Sequence, residues 1–202
     1  MGGPDALADS GGRVGLVPSE AGVSETPSIL PSMAGSVATL YPDWPQHNAR
    51  LRDGVRFLTP EQLELRAGPE HGTIWQLAAH VAGTRVYWLC SILGEPGADR
   101  TPFTDPEGDG WEDDPQHPRS GEELAWALDS TFTIVRECLE RWTPEGLAVT
   151  AERTFGGITV VHTRASILNR MFSHDAFHAG EISQLLGLHH LPEIDLWRRP
   201  RA

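Results

Sequence analysis

Apolar residues recur at helical spacing in four long segments, and turn signals separate them. From Asp43 onward, Trp44, Leu51, Val55 and Leu58 fall near a 3.6-residue period with Arg50, Arg52 and Arg56 between them, which predicts a first helix. Thr59-Pro60-Glu61-Gln62 combines an N-cap, a proline at the first helical position and a glutamine three residues on, so a short helical segment is predicted before the Gly68-Pro69 break. Thr73 and Gln76 repeat that capping pattern ahead of Ile74, Leu77, Ala78, Val81, Trp88, Leu89 and Ile92, a second helix that Gly94 and Pro96 end. Ser120 and Glu123 open a third, carried by Leu124, Leu128, Val135, Leu139 and Trp142 as far as Thr143-Pro144. A fourth runs from about Arg164 to Gly187.

The connections differ in character. Residues 94–119 are rich in proline, glycine and acid around Trp111, and Asp105-Pro-Glu-Gly-Asp-Gly lacks the glutamate that a calcium loop carries six residues after its glycine, so a long solvated loop is predicted. Val149, Phe155 and the Ile158 to Val161 run flank Gly156-Gly157, which suggests a small hairpin or extended excursion before the fourth helix. Residues 1–40 are dominated early by Gly, Ser, Pro, Ala and Asp without periodicity and read as a flexible tail, within which Met33 offers an alternative start. The predicted fold is all-α: a four-helix bundle over residues 41–202, with the acidic loop between helices 2 and 3 and the excursion before helix 4.

Composition narrows the chemistry. The 202 residues carry Lys+Arg 16 against Asp+Glu 28, a formal net charge of -12, and every basic residue is arginine. Without a primary amine on any side chain, Schiff-base chemistry, a Walker-type phosphate lysine and a kinase strand lysine are excluded. The acidic balance argues against nucleic acid and anionic membrane surfaces as partners. No apolar run approaches the ~20 residues of a membrane span, and a signal pattern is not seen, so a cytoplasmic protein is expected. Cys90 and Cys138 stand far apart without thiolate-pair spacing and read as buried small hydrophobes.

Histidine supplies the candidate chemistry. His174 and His178 lie four apart in the fourth helix, one turn above the other on one side. At about 100° per residue, the centre of the stripe formed by Ile167, Leu168, Met171, Ile182, Leu185 and Leu186 lies about 30° from His178 and about 70° from His174. The pair therefore faces the interior, where two imidazoles need partners, and one divalent ion satisfies both. His80, on the flank of the second helix's stripe, is the candidate third ligand, and three nitrogen ligands leave positions open for water or substrate. The alternative reading is a pair of ordinary core-edge histidines.

Glu181, seven after His174, is a candidate to hold a ligand imidazole's second nitrogen or to take a proton from a bound thiol or water, against a simple interhelical ion pair. Tyr87, seven after His80, is a candidate substrate hydrogen-bond partner or a packing residue. Arg85 and Arg170 are candidates for a substrate carboxylate, or cations snorkelling from the core edge. His162, His189 and His190 fall at element ends, while His47, His71 and His117 read as loop or surface.

The stretches Thr73-Ile-Trp-Gln-Leu-Ala-Ala-His80 and His174-Asp-Ala-Phe-His178-Ala-Gly-Glu181-Ile resemble the DinB/YfiT-like superfamily, metal-binding four-helix bundles that include thiol S-transferases and mycothiol-dependent isomerases. The resemblance runs from about Asp43 to Trp197. It implies that His80, His174 and His178 hold a divalent ion such as zinc or nickel, and that a small thiol such as mycothiol is a co-substrate. Ala179-Gly180-Glu181 departs from the Arg-Gly-Gln that many members carry there, which leaves the role of Glu181 open. The function expected is a thiol S-transferase or isomerase acting on a small molecule. The alternatives are a metal-dependent hydrolase and a non-catalytic metal- or ligand-binding stress-response protein. A homodimer paired through apolar helix faces is expected.

Overall fold

A computed structural model describes residues 35–104, 111, 114 and 116–197. Its helices are α1 (Trp44–Arg56), α2 (Pro60–Leu63), α3 (Ile74–Val86), α4 (Gly121–Arg141) and α5 (Arg164–Leu188). Local chemistry accounts for their starts. Thr59, Thr73 and Ser120 each accept from the backbone N–H three residues on, while the Gln or Glu at that position accepts from the cap's own N–H. A fourth capping box, Thr163 with Ser166, opens α5; its return partner is a serine hydroxyl, outside the Glu/Gln pattern a sequence search recognises.

The strands β1 (Thr150–Phe155) and β2 (Ile158–Thr163) form an antiparallel hairpin with Thr150 opposite Thr163 and Phe155 opposite Ile158. Gly156 (φ 57°) and Gly157 (φ 79°) make its two-residue turn, a left-handed backbone at both positions that favours glycine. The all-α expectation is thereby corrected to a helical fold bearing a two-stranded sheet. The boundary at residue 41 also moves. Residues 1–34 lie outside the described residues, but Val37 is buried in a short 3-10 turn (Val37–Leu40) and donates its N–H to the Trp142 carbonyl. Asp105, Glu107 and Asp109 of the acidic loop lie outside the described residues as well.

Past Val86 the second long helix continues as a π-helical turn, Tyr87–Ile92, before Gly94 (φ 69°) releases the chain. Such a widening is a frequent device for re-aiming side chains near functional sites. Among the helices, α1 and α3 each pack extensively on α4, and α3 packs on α5. Gly121 marks one close approach: a Cβ there would collide with the backbone carbonyl of Arg56, so the start of α4 presses on the end of α1.

One polar node joins all four long helices inside the core. Arg85 of α3 is 1% exposed and directs Nε and Nη2 to Oδ2 of Asp175 in α5, at 3.1 and 2.7 Å. Its Nη1 donates to Oδ1 of Asn48 in α1 (2.7 Å) and to the Leu128 carbonyl of α4 (3.1 Å). The indole N–H of Trp44 in α1 completes the node at 2.8 Å from the same Asp175 oxygen. Removing one partner of a buried pair strands the other charge. Asp175→Ala is therefore expected to cost about 3–5 kcal/mol in urea denaturation, and an unchanged midpoint would show that the pair does not hold the helices together.

Candidate metal centre

Helix α3 brings His80 to the side of α5 that carries His174 and His178. The His174 Nε2 lies 3.1 Å from His80 Nε2 and 3.1 Å from His178 Nε2, and the three ligand atoms fall within 4.8 Å of one another. Position 174 lies next to Asp175 in the chain, and position 80 lies five before Arg85, so the buried pair sets the register in which these imidazoles meet.

The protonation states make this convergence unsatisfiable by hydrogen bonds alone. His178 Nδ1 sits 2.6 Å from Oε2 of Glu181, and an ionised carboxylate only accepts, so Nδ1 carries the hydrogen and Nε2 the lone pair of the neutral ring. Burial lowers the His178 pKa, although Glu181 opposes the shift. Burial, followed by His178 and His80, pushes His174 down to about 3. A neutral His174 has two choices. With the hydrogen on Nε2 it donates to one neighbour and leaves its buried Nδ1 lone pair without a partner; with the hydrogen on Nδ1, that N–H is the orphan and two lone pairs face each other. A divalent cation accepts converging lone pairs and removes the second conflict. The residues fit such an ion, since imidazole nitrogen is a donor type that zinc and nickel accept.

A cleft of about 260 Å³ reaches the triad only through Glu181; Ala67, His71, Gly72, Leu77, Glu181 and Gln184 are among the residues that line it, and none of the three histidines does. Glu181 thus touches His178 with one oxygen and forms a cleft wall with a side chain 39% exposed. On the other side of the triad, Tyr87 accepts a hydrogen bond from Arg153 Nε of β1 at 2.8 Å, and Arg170 lies over the Trp88 ring. Arg85 departs from its expected place: the carboxylate it holds is the protein's own Asp175, and its burial keeps it from a substrate.

The sequence profile of the DinB superfamily matches residues 44–182, a span that includes His80, His174, His178 and Glu181. This chain belongs to the DinB superfamily. A DinB-like protein from Bacillus cereus ATCC 10987 of known crystal structure shares its fold, with a TM-score of 0.58, 20% identity, and coverage of 80% of this chain and 97% of that one. No curated protein matches.

Within this DinB-superfamily chain, two polar residues that shape the site carried no sequence signal. Asp175 sits between the paired histidines and is placed only by its partner Arg85, 90 residues away, and Arg153 is placed only by strand register. His47, expected in a loop or at the surface, is buried in α1 against Phe172 and Trp197. Cys90 and Cys138 are buried free thiols, raised by burial to about 11 and about 12, which leaves them protonated at neutral pH. Among the described residues no helix is long and apolar enough to cross a membrane.

The depressed histidines make a pH prediction for metal-free protein. Above the ordinary imidazole range both folded and unfolded chains hold His174 neutral; as pH falls through it, the unfolded chain takes the proton first, and stability is lost. Between about pH 8 and about pH 5, urea midpoints of chelator-treated wild type should fall more steeply than those of His174→Gln. Equal slopes would mean that His174 titrates as an ordinary histidine.

Proposed function

We propose that this chain is a metal-dependent enzyme of small molecules, built on a four-helix bundle of α1, α3, α4 and α5. His80, His174 and His178 hold one divalent ion, zinc or nickel. The observation that carries this reading is the convergence of three imidazole rings on one point, with the Nε2 of His174 3.1 Å from each of the other two Nε2 atoms. When bound, the ion supplies Lewis acidity that draws a proton from a thiol or water near neutral pH.

The chain's own residues supply the rest. Glu181 holds the Nδ1–H of His178, which fixes the ring's tautomer and keeps Nε2 aimed at the other two imidazoles. The same carboxylate faces the cleft and is the acceptor assigned to the proton a nucleophile gives up. Leu77, Leu185 and Leu188 give the cleft an apolar wall that limits water around an electrophile. Transfer of a small thiol, with mycothiol as the candidate co-substrate, is the preferred chemistry. A cleft wall that holds a ligand imidazole through Glu181 favours turnover over simple sequestration.

Metal analysis separates the readings. Wild type is expected to hold one divalent ion per chain and His178→Ala to lose it, whereas equal metal content would remove the site. Incubation of metal-loaded protein with an electrophile and a panel of thiols including mycothiol should consume one thiol selectively. Product formation without thiol would indicate hydrolysis, and retained metal without any turnover would indicate a binding protein.

A further inference from the structure

In a chain of net charge -12, the arginines of the described residues sit mostly on carboxylates, as Arg52, Arg56, Arg100 and Arg164 do. Arg153 and Arg170 are different. Among the described residues neither has a carboxylate within 4.0 Å, yet they come from separate elements to one aromatic ring, with guanidinium carbons 5.4 and 5.3 Å from the centroid of Trp88. Arg153 also lies over Tyr87 and Phe155 and gives its Nε–H to the Tyr87 hydroxyl. His162 packs edge-on against Trp88 at 5.0 Å, and both arginines help to depress its pKa beyond the effect of burial.

The fold builds this cluster on purpose-shaped elements. Pairing of Ala151 with His162 and of Arg153 with Val160 puts Arg153 and His162 on one face of the hairpin, and the π-helical turn presents Tyr87 and Trp88 to it. Two guanidinium groups on one indole, with no acid beside them among the described residues, have only cation–π contact in place of an ion pair. Among the described residues the Tyr87 hydroxyl, bound by Arg153 Nε, is the one acceptor these two guanidinium groups have.

We infer that Arg153 and Arg170, which cover the buried Trp88, form a carboxylate-binding site beside the half-buried Tyr87 and the exposed Phe155, for a small unsaturated or aromatic carboxylic acid. The planar fork of arginine matches a carboxylate, and the rings of Tyr87 and Phe155 match a flat apolar body beside it. Arg170 lies one turn before His174 and Tyr87 two turns after His80, so the bound carboxylate stands roughly 6–10 Å from the triad along the helix axes. The proposal rests on the enzymatic reading for one point only, that the bound acid is the substrate: it is then anchored by its carboxylate while its far end reaches the histidines. The substrate anchor is supplied by the hairpin and α5, and not by Arg85.

Binding of cinnamate to chelator-treated protein, read by calorimetry, tests the site apart from any metal. Wild type should bind cinnamate, while Arg153→Gln and Arg170→Gln should each weaken it at least about tenfold, the scale of one charge-assisted hydrogen bond. The surface variant Arg66→Gln, which makes the same charge change elsewhere, should bind as wild type does. Neutral cinnamamide should bind at least about tenfold more weakly than cinnamate. Equal affinities across wild type and the two cluster variants, or capture of inorganic phosphate in preference to cinnamate, would overturn the assignment. Cinnamate binding retained in His178→Ala supports the carboxylate site even if the metal reading fails, and metal binding without cinnamate binding refutes this site alone.

Discussion

The buried pair of Arg85 and Asp175 is the constraint on which the rest of the molecule turns. A guanidinium at 1% exposure must find acceptors for its hydrogens, and here they come from α1, α4 and α5 at once. Apolar packing alone tolerates a helix sliding by a fraction of a turn, since one leucine contact resembles the next. A charged fork with fixed directions does not tolerate it, because each displaced bond leaves an unpaired buried group. The node's value therefore lies in specifying one relative placement of α3 and α5.

That placement is what a two-helix ligand set needs. Consecutive residues of α5 divide the work: Asp175 points into the core to Arg85 and Trp44, and His174 turns toward His80. With 174 and 178 one turn apart, a single register error would carry the pair past His80. Glu181 then fixes the last degree of freedom, the tautomer of His178. At the centre of the triad the Nε2 of His174 faces two other ring nitrogens at 3.1 Å, which is the pattern expected of groups arranged for a ligand more than for the fold.

Much of this was legible in the chain, and the exceptions have physical causes. Capping boxes at Thr59, Thr73 and Ser120 announce helix starts because they act within three residues, and Gly156-Gly157 announces a turn because only that backbone demands it. The fourth box at Thr163 hides behind a serine. Helical spacing joins His174 to His178, while His80 joins them only through tertiary packing, which the family resemblance supplied. Arg85 shows the limit most clearly: an arginine in an apolar stripe looks the same whether its anion is a substrate or an internal aspartate 90 residues away. Arg153 shows the converse, since a strand residue's reach across to Trp88 is set by register and by the π-helical turn, neither of which local pattern reveals.

The central claim is that the fold presents three imidazole nitrogens to one ion. Anomalous diffraction at the zinc edge from crystals of zinc-loaded protein tests it most directly. The account predicts a single strong peak within bonding distance of Nε2 of His80, His174 and His178. A peak held by other residues, or none among these three rings in fully loaded protein, would contradict it.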